Sequence, residues 1–262
     1  MQLRSEDLGT PVWRIWLVGA DRAHKALTPA FLAELEALLR RADGDPRCRV
    51  VVLASDSGEF CRGMDLHGLA EGQHADYGAA IATYARCLEL LRTIRPATLC
   101  VIETAASGGG VGLVAASDLV IAGRPATFVL PELLLGLMPA VVLPVLAERV
   151  GSGRARRLCL TGELLSAADA AQIGLVDVLA DEAALTLAAT LKHLLRVSPD
   201  AVGRLKRHLD LISGMPREAA LQAGAARTAT DLQDPQIRAA IAGFVAGEMP
   251  PWSVRYRPGG HG

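Results

Sequence analysis

The strongest restriction on the fold is a change in hydrophobic pattern at about residue 182. Before it, short β-branched and apolar runs alternate with amphipathic segments, which predicts strands at 12–18, 48–55, 97–105, 118–123, 126–130 and 174–180. The segment 28–42 has helical spacing and opens on Thr28, a residue type that caps helices well. After residue 182 only helical periodicity continues. The pattern predicts an α/β core followed by an all-helical C-terminal region.

Composition and charge argue against several classes of function. The chain has 262 residues, 51% of them hydrophobic and 21% charged, with a formal net charge of -1. Such a chain can bury a sizeable core, and its balanced charge argues against nucleic acid as a partner. No apolar run reaches the roughly 20 residues of a membrane span, and charges interrupt the N-terminal segment, so we expect a cytoplasmic protein without a membrane partner. Five scattered cysteines and the lack of metal-ligand spacing predict neither a disulfide framework nor a metal site.

Three consecutive glycines lie in the stretch TAASGGGVGLVAASD, residues 104–118. One hypothesis is dinucleotide binding, because Gly110, Gly112 and Ala115 match the G-x-G-x-x-A spacing between a strand and a helix. Glu132 then lies about 20 residues further on, where an acid that binds ribose is expected. Against this hypothesis, the motif lies in the middle of the chain and no second mononucleotide-binding half follows it.

The glycines fit a phosphate loop or a nucleophile turn less well. A Walker-type phosphate loop needs a lysine and a hydroxyl residue that are missing here, and a serine nucleophile at Ser107 needs a glycine two residues earlier, where Ala105 stands. Close packing of a helix on a strand explains one or two glycines, but three in a row each cost roughly 1 kcal/mol of helix propensity relative to alanine. The remaining hypothesis is that Gly109, at a helix start, offers its backbone N–H to an oxyanion such as a thioester enolate.

A second backbone donor is expected after another strand, because oxyanion holes usually use two. The segment 60–66, FCRGMDL, follows the apolar run 48–55. Gly63 would let the chain turn there so that the N–H of Met64 points inward. Taken alone, the segment fits an ordinary strand-to-helix loop better than an oxyanion donor.

The two glycine segments belong to a longer series of motifs. In chain order these are DRAHKAL at 21–27, F-C-x-G-x-D-L, S-G-G-G-x-G-L-x-x-x-x-D, F-x-L-P-E-L-x-x-G-L-x-P, and LTGELLSAADAAQIGLVDVL at 160–179. The series resembles the crotonase (enoyl-CoA hydratase/isomerase) superfamily. The resemblance implies an α/β fold with a ββα spiral core over 1–195 and a helical oligomerisation region over 196–262. It also implies homotrimers or dimers of trimers, an acyl thioester substrate carried on coenzyme A or on an acyl carrier protein, and no further cofactor.

The same resemblance implies roles for three catalytic residues. The N–H groups of Met64 and Gly109 would form the oxyanion hole, and Glu132, in the P-E-L motif, would move protons. Hydratases of the family use a second glutamate three residues after the middle glycine, where this chain has Gly112. A chain with only the first glutamate is similar to a narrower group, the dehydratases of polyketide β-branching, which act on 3-hydroxy-3-methylglutaryl held by an acyl carrier protein.

A single carboxyl at Glu132 would have to serve as both base and acid, which favours a pKa raised by an apolar setting. An alternative role for Glu132 is structural, as an acid in the first turn of a helix after Pro131. We expect the apolar setting to come from the flanking side chains of Phe128, Val129, Leu130, Leu133, Leu134 and Leu135.

Eight further residues are candidates for substrate binding, namely Arg22, Lys25, Asp65, Leu66, His67, Gly108, Gly112 and Leu137. Arg22 and Lys25 are expected at the surface, where they would meet phosphates of the pantetheine arm or the carrier protein. Asp65 is expected to brace its own loop, with assistance in proton transfer as the alternative. His67 fits either the substrate pocket or a solvated loop.

Alternative functions remain within the same fold. An ordinary enoyl-CoA hydratase or isomerase of acyl-CoA metabolism is one, although Gly112 counts against a hydratase. A decarboxylase and a non-catalytic protein that binds acyl carriers are two more, and the presence of Glu132 counts against both.

Overall fold

The protein folds around a six-stranded sheet. This computed structural model describes residues 1–19, 25–56, 58–65, 68, 70 and 77–256. The strands in spatial order are β1 (Gln2–Glu6), β2 (Val12–Val18), β3 (Val50–Ser55), β4 (Ala97–Ile102), β6 (Leu119–Gly123) and β9 (Val178–Ala180). Strand β1 runs antiparallel to β2, and every other pair is parallel. The α/β class expected from the sequence is confirmed.

A second, three-stranded sheet lies beside the first. Its strands are β5 (Ala105–Ser107), β7 (Thr127–Val129) and β8 (Leu165–Ser166). The single strand predicted over 97–105 is therefore two strands, because the chain leaves the large sheet after Ile102. At the crossing, the amide of Thr127 donates to the carbonyl oxygen of Thr104 at 2.6 Å. The apolar pattern is nearly continuous through this point, so the pattern alone does not reveal the change of sheet.

The described residues also form ten α-helices: α1 (Pro29–Gly44), α2 (Tyr77–Thr93), α3 (Gly109–Ala116), α4 (Val142–Val150), α5 (Ser152–Thr161), α6 (Ala167–Gln172), α7 (Ala183–Leu194), α8 (Pro199–Ile212), α9 (Arg217–Gln233) and α10 (Pro235–Val245). The predicted cap of α1 is confirmed, since the hydroxyl of Thr28 accepts from the amide of Phe31 at 3.3 Å.

Helices cover both faces of the large sheet. On one face, Ile15, Val51 and Cys100 pack against α1, α2 and α3 in the main apolar core. On the other face, Val52 and Leu99 pack with residues of α7 in a smaller cluster. Strands β3 and β4 are consequently buried on both sides, which explains their nearly uninterrupted apolar sequences. Helix α3 lies entirely inside the core, with all eight of its residues buried.

The C-terminal helices differ in how closely they pack. Helix α8 is joined to the core by Lys206, whose ammonium donates to the carbonyl oxygens of Leu91 and Pro96 and to the Asp118 carboxylate at 2.8 Å. Helix α9 has no buried residue, and α10 has one. None of the described helices combines the length and apolar composition that crossing a bilayer requires. The division between 1–195 and 196–262 stays a prediction.

Candidate active site

The segment 60–64 lies along strand β5, immediately before helix α3. The amide of Phe60 donates to the carbonyl oxygen of Ala105 at 2.8 Å. The amide of Ser107 donates to the carbonyl oxygen of Cys61, also at 2.8 Å. These bonds place the turn at Gly63 against the start of α3. The two glycine segments, about 45 residues apart in the sequence, are therefore neighbours in space, as the oxyanion-hole hypothesis requires.

Gly63 is the point of closest contact between the two segments. Its φ is +85°, which favours glycine, and a Cβ built on it would lie 2.8 Å from the amide nitrogen of Gly109 and 3.0 Å from the carbonyl oxygen of Ser107. Any side chain at position 63 would therefore collide with the peptide that carries one predicted donor. The other predicted donor, the amide of Met64, follows directly in the chain.

Neither predicted donor is used within the part of the chain that the structure describes. No described residue accepts a hydrogen bond from the amide of Met64 or of Gly109. Gly109 is the first residue of α3, and Gly108, which precedes it with a φ of +53°, turns the chain into the helix. An amide at this end of a helix also carries the positive end of the helix dipole, which favours a developing negative charge.

Glu132 lies against the same glycines. It opens a short 3-10 helix, Glu132–Leu135, that follows strand β7 and Pro131. A Cβ on Gly108 would lie 2.9 Å from Glu132 Oε1. The three residues predicted to be catalytic are thus brought together, with the carboxylate in contact with the glycine next to the Gly109 amide.

The carboxyl of Glu132 is partly removed from water. Its Oε2 atom is buried and has no hydrogen-bond partner among the described residues. Burial raises the pKa of Glu132, opposed only by a hydrogen bond from the backbone N–H of the same residue. The raised pKa expected from the sequence is confirmed.

The origin of that apolar setting differs in part from the prediction. Phe128 and Leu130 are buried as expected. Leu133, Leu134 and Leu135 are instead exposed, because the 3-10 turn directs them away from the core; Leu134 is 76% exposed.

Lys25 does not lie at the surface, contrary to expectation. It is only 2% exposed, and its ammonium donates to the carbonyl oxygen of Leu17 at 2.7 Å, to the hydroxyl of Ser55 at 2.8 Å and to the carboxylate of Asp56 at 2.9 Å. A buried ammonium needs such partners, and these three use its full donor capacity. Lys25 therefore ties together the ends of β2 and β3 and is not positioned to meet a phosphate.

Asp65 braces its loop as predicted, since its carboxylate accepts from the amide of Gly68 at 3.1 Å. Leu137 lies just after the 3-10 helix Glu132–Leu135, which we call the glutamate turn. Its amide donates to the carbonyl oxygen of Glu132 at 3.0 Å, and its side chain is about half exposed. Arg22, Leu66 and His67 lie outside the described residues.

One residue near the site carries no recognisable sequence signal. Tyr84, on α2, donates its hydroxyl to the carbonyl oxygen of Gly109 at 2.6 Å and is buried. Its position in the apolar repeat of α2 predicts burial but not the destination of its hydroxyl. The same hydroxyl lies beside Gly112, where the family resemblance implies a second glutamate in hydratases.

Comparison with known proteins agrees with the fold. The family model for enoyl-CoA hydratase/isomerase matches residues 15–255. A 2,3-dehydroadipyl-CoA hydratase of Escherichia coli is 33% identical over 220 residues, which are 82% of this chain and 84% of that protein. The bacillaene synthase dehydratase PksH of Bacillus subtilis is 32% identical over 148 residues, 56% of each chain. The solved structure of Pseudomonas aeruginosa AtuE superposes with a TM-score of 0.89 at 30% identity, covering 97% of this chain and 100% of that one.

The family match and these relatives show an enzyme of the hydratase and dehydratase type that acts on acyl thioesters. The chain belongs to the enoyl-CoA hydratase/isomerase family, within the crotonase superfamily.

Proposed function

We propose that the protein is a dehydratase that converts 3-hydroxy-3-methylglutaryl thioester, held on an acyl carrier protein, to the 3-methylglutaconyl thioester in polyketide β-branching. The observation that carries the proposal is that, among the residues the structure describes, one carboxyl is brought against the glycine turn. Glu132 touches the glycine turn, whereas position 112 is a glycine without room for a side chain. The similarity to the bacillaene synthase dehydratase PksH, over 56% of this chain, supports a dehydration.

In the proposed mechanism, the thioester oxygen binds between the N–H groups of Met64 and Gly109. The Glu132 carboxylate takes the proton from C2, and the negative charge moves onto the thioester oxygen, where the two donors stabilise it. Loss of one such donor typically costs about 2.7 to 4 kcal/mol of transition-state stabilisation.

Elimination completes the cycle with the same carboxyl. The protonated Glu132 gives its proton to the C3 hydroxyl, the C3–O bond breaks, a C2–C3 double bond forms and water leaves. The glutamate returns to its carboxylate form, so one residue serves as base and then as acid on one face of the substrate. A raised pKa suits both steps, because it makes the carboxylate a stronger base and keeps the acid form accessible.

The proposal extends to the substrate carrier and to assembly. The phosphopantetheine arm of the carrier protein, or coenzyme A, would supply the thioester, with no other cofactor, in the cytoplasm. We also propose a homotrimer or a dimer of trimers. Large apolar side chains exposed on α9, α10 and the glutamate turn support an assembly that covers them, among them Leu221, Phe244, Val245 and Leu134.

The direct test is incubation with 3-hydroxy-3-methylglutaryl carrier protein, followed by mass spectrometry of the carrier. We expect loss of one water from the acyl group. The same acyl group on coenzyme A, run in parallel, tells which carrier is preferred. If the carrier is fully loaded and keeps its water, the proposal is wrong, and binding without turnover would favour a non-catalytic acyl-carrier protein.

Hydration of an enoyl-CoA is the second candidate function. The 33% identity to a 2,3-dehydroadipyl-CoA hydratase, across 82% of this chain, favours it. Loss of the enoyl absorbance of crotonyl-CoA or 2,3-dehydroadipyl-CoA would reveal this activity. A higher kcat/KM for hydration of such substrates than for dehydration of the branched hydroxyacyl thioester would replace the first proposal by this one.

A further inference from the structure

Gly112 has no space for a side chain because Tyr84 occupies it. A Cβ built on Gly112 would lie 2.0 Å from the Tyr84 hydroxyl oxygen, 3.2 Å from Tyr84 Cζ and 3.1 Å from a methyl group of Val142. The first of these distances is far shorter than any van der Waals contact. Tyr84 cannot easily swing away, since its rigid ring is buried in the main core.

The same hydroxyl holds the start of α3. It donates to the carbonyl oxygen of Gly109 at 2.6 Å, so it anchors the residue whose N–H is the proposed oxyanion donor. Glycine can adopt more backbone angles than any other residue. A hydrogen bond from outside the helix therefore removes more conformational freedom at a glycine than it would at another residue. The core also closes around Gly109 itself, because a Cβ there would lie 2.8 Å from Leu27 Cδ1 and 3.4 Å from the Tyr84 hydroxyl oxygen.

The Tyr84 hydroxyl remains a hydrogen-bond donor at neutral pH. Burial, with the nearby Cys61, Glu132 and Cys87, raises the pKa of Tyr84 well above its ordinary value. The ordinary tyrosine pKa is already about 10, so the phenol is protonated at neutral pH. A group that does not titrate with the catalytic carboxyl suits a positioning role and not a role in proton transfer.

We propose that Tyr84 is a positioning residue that sets the direction of the Gly109 N–H and, by closing the space beside Gly112, restricts the site to a single carboxyl. The first half rests on the proposed role of Gly109 in the oxyanion hole. The second half rests on packing alone and holds whichever acyl thioester the enzyme uses.

The test uses Tyr84→Phe, Gly112→Ala and the double variant. Tyr84→Phe keeps the ring but removes the hydroxyl, and we expect kcat to fall roughly tenfold with KM within about twofold, as lost transition-state positioning predicts. Gly112→Ala should lower the melting temperature by about 5 °C or more through overpacking. In the double variant the alanine methyl occupies the vacated space, so the melting temperature should recover while kcat stays low.

Recovery of stability without recovery of kcat is a result that a purely structural role for Tyr84 does not produce. Tyr256→Phe is the matched control. The Tyr256 hydroxyl accepts a hydrogen bond from the Arg14 guanidinium at 3.1 Å, on the other side of the sheet from Tyr84. The kcat of this variant should equal that of the wild type. If Tyr84→Phe itself does not fold, the repacked double variant supplies the kcat measurement.

Two results would overturn the inference: Gly112→Ala melting at the wild-type temperature, or a wild-type kcat in both variants that lack the hydroxyl. The melting temperatures need no substrate, and kcat is measured on whichever thioester the wild type turns over. Failure of the proposed dehydration is therefore distinguishable from failure of the role given to Tyr84.

Discussion

The two walls of the site are built in opposite ways. The glycine wall, formed by Gly63, Gly108, Gly109 and Gly112, is packed so tightly that a Cβ at any of the four would lie 2.9 Å or less from another atom. The glutamate wall, the turn Glu132–Leu135, contains no buried residue. Main-chain donors are thus held by the core, whereas the carboxyl is presented by a turn at the surface.

The difference follows from what each wall has to supply. An oxyanion hole works only if its donors already point to where charge develops, so its atoms must not move during the reaction. A general base needs an altered pKa, which depends on desolvation of one carboxyl more than on the order of its neighbours. The comparison predicts that changes in the glutamate wall abolish chemistry and leave the fold intact, while changes in the glycine wall damage both.

Replacing the carboxyl should have the largest effect on the rate. Glu132→Gln keeps the shape of the side chain but removes the group that takes the C2 proton, so we expect kcat to fall about 1,000-fold. The circular dichroism spectrum should not change. Glu34→Gln, at an exposed position on α1, is the matched control and should retain wild-type kcat. A Glu132→Gln enzyme that is still active would refute the single-carboxyl mechanism.

A methyl group in the glycine wall should reduce both rate and stability. Gly63→Ala forces an unfavourable φ and pushes a Cβ against the Gly109 amide, so we expect kcat to fall about 100-fold, comparable to loss of one oxyanion donor. Gly151→Ala separates the two causes, because Gly151 has the same φ of +85° but nothing within 4 Å of its Cβ position. That control should lose about 1 to 3 kcal/mol of unfolding free energy, because its backbone angles are ones that essentially only glycine adopts, and it should lose no activity. Equal effects on kcat in the two variants would show that contact with Gly109 is unimportant.

The sequence predicts the glycine wall better than its surroundings. Gly63, Gly109 and Glu132 belong to motifs with characteristic spacing, and the structure brings them together. Tyr84 has no motif, because its importance depends on the meeting of α2 with α3, which residue periodicity does not describe. Lysines are usually solvated, so the sequence predicts Lys25 at the surface; its burial depends on acceptors at the ends of β2 and β3, which only the folded chain assembles.

The exposure of Leu133 to Leu135 escapes the sequence for a related reason. A run of leucines after Pro131 predicts burial by composition, but the 3-10 turn ends at Gly136 in the left-handed conformation, which keeps these side chains at the surface of the single chain. Local apolar composition therefore predicts that these leucines are buried, but it does not tell whether the same chain or another copy of the protein buries them.

The pH dependence should show the smallest effect and sharpens the description of the glutamate wall. Because burial raises the pKa of Glu132 and the carboxylate is the active base, kcat/KM should decrease as the pH falls through that pKa, with a midpoint above the ordinary glutamate value of about 4.3. The raised pKa means that the folded state favours the protonated acid, a contribution to stability present at low pH and lost as the pH rises through the folded pKa. Glu132→Gln does not titrate at this position, so its stability relative to wild type should increase as the pH rises from the ordinary glutamate pKa of about 4.3 through the raised pKa of the folded state, measured by denaturant unfolding at each pH. A kcat/KM midpoint at the ordinary value would mean that the carboxyl is solvated in the working enzyme, whereas a further rise on assembly would show that another copy covers the turn.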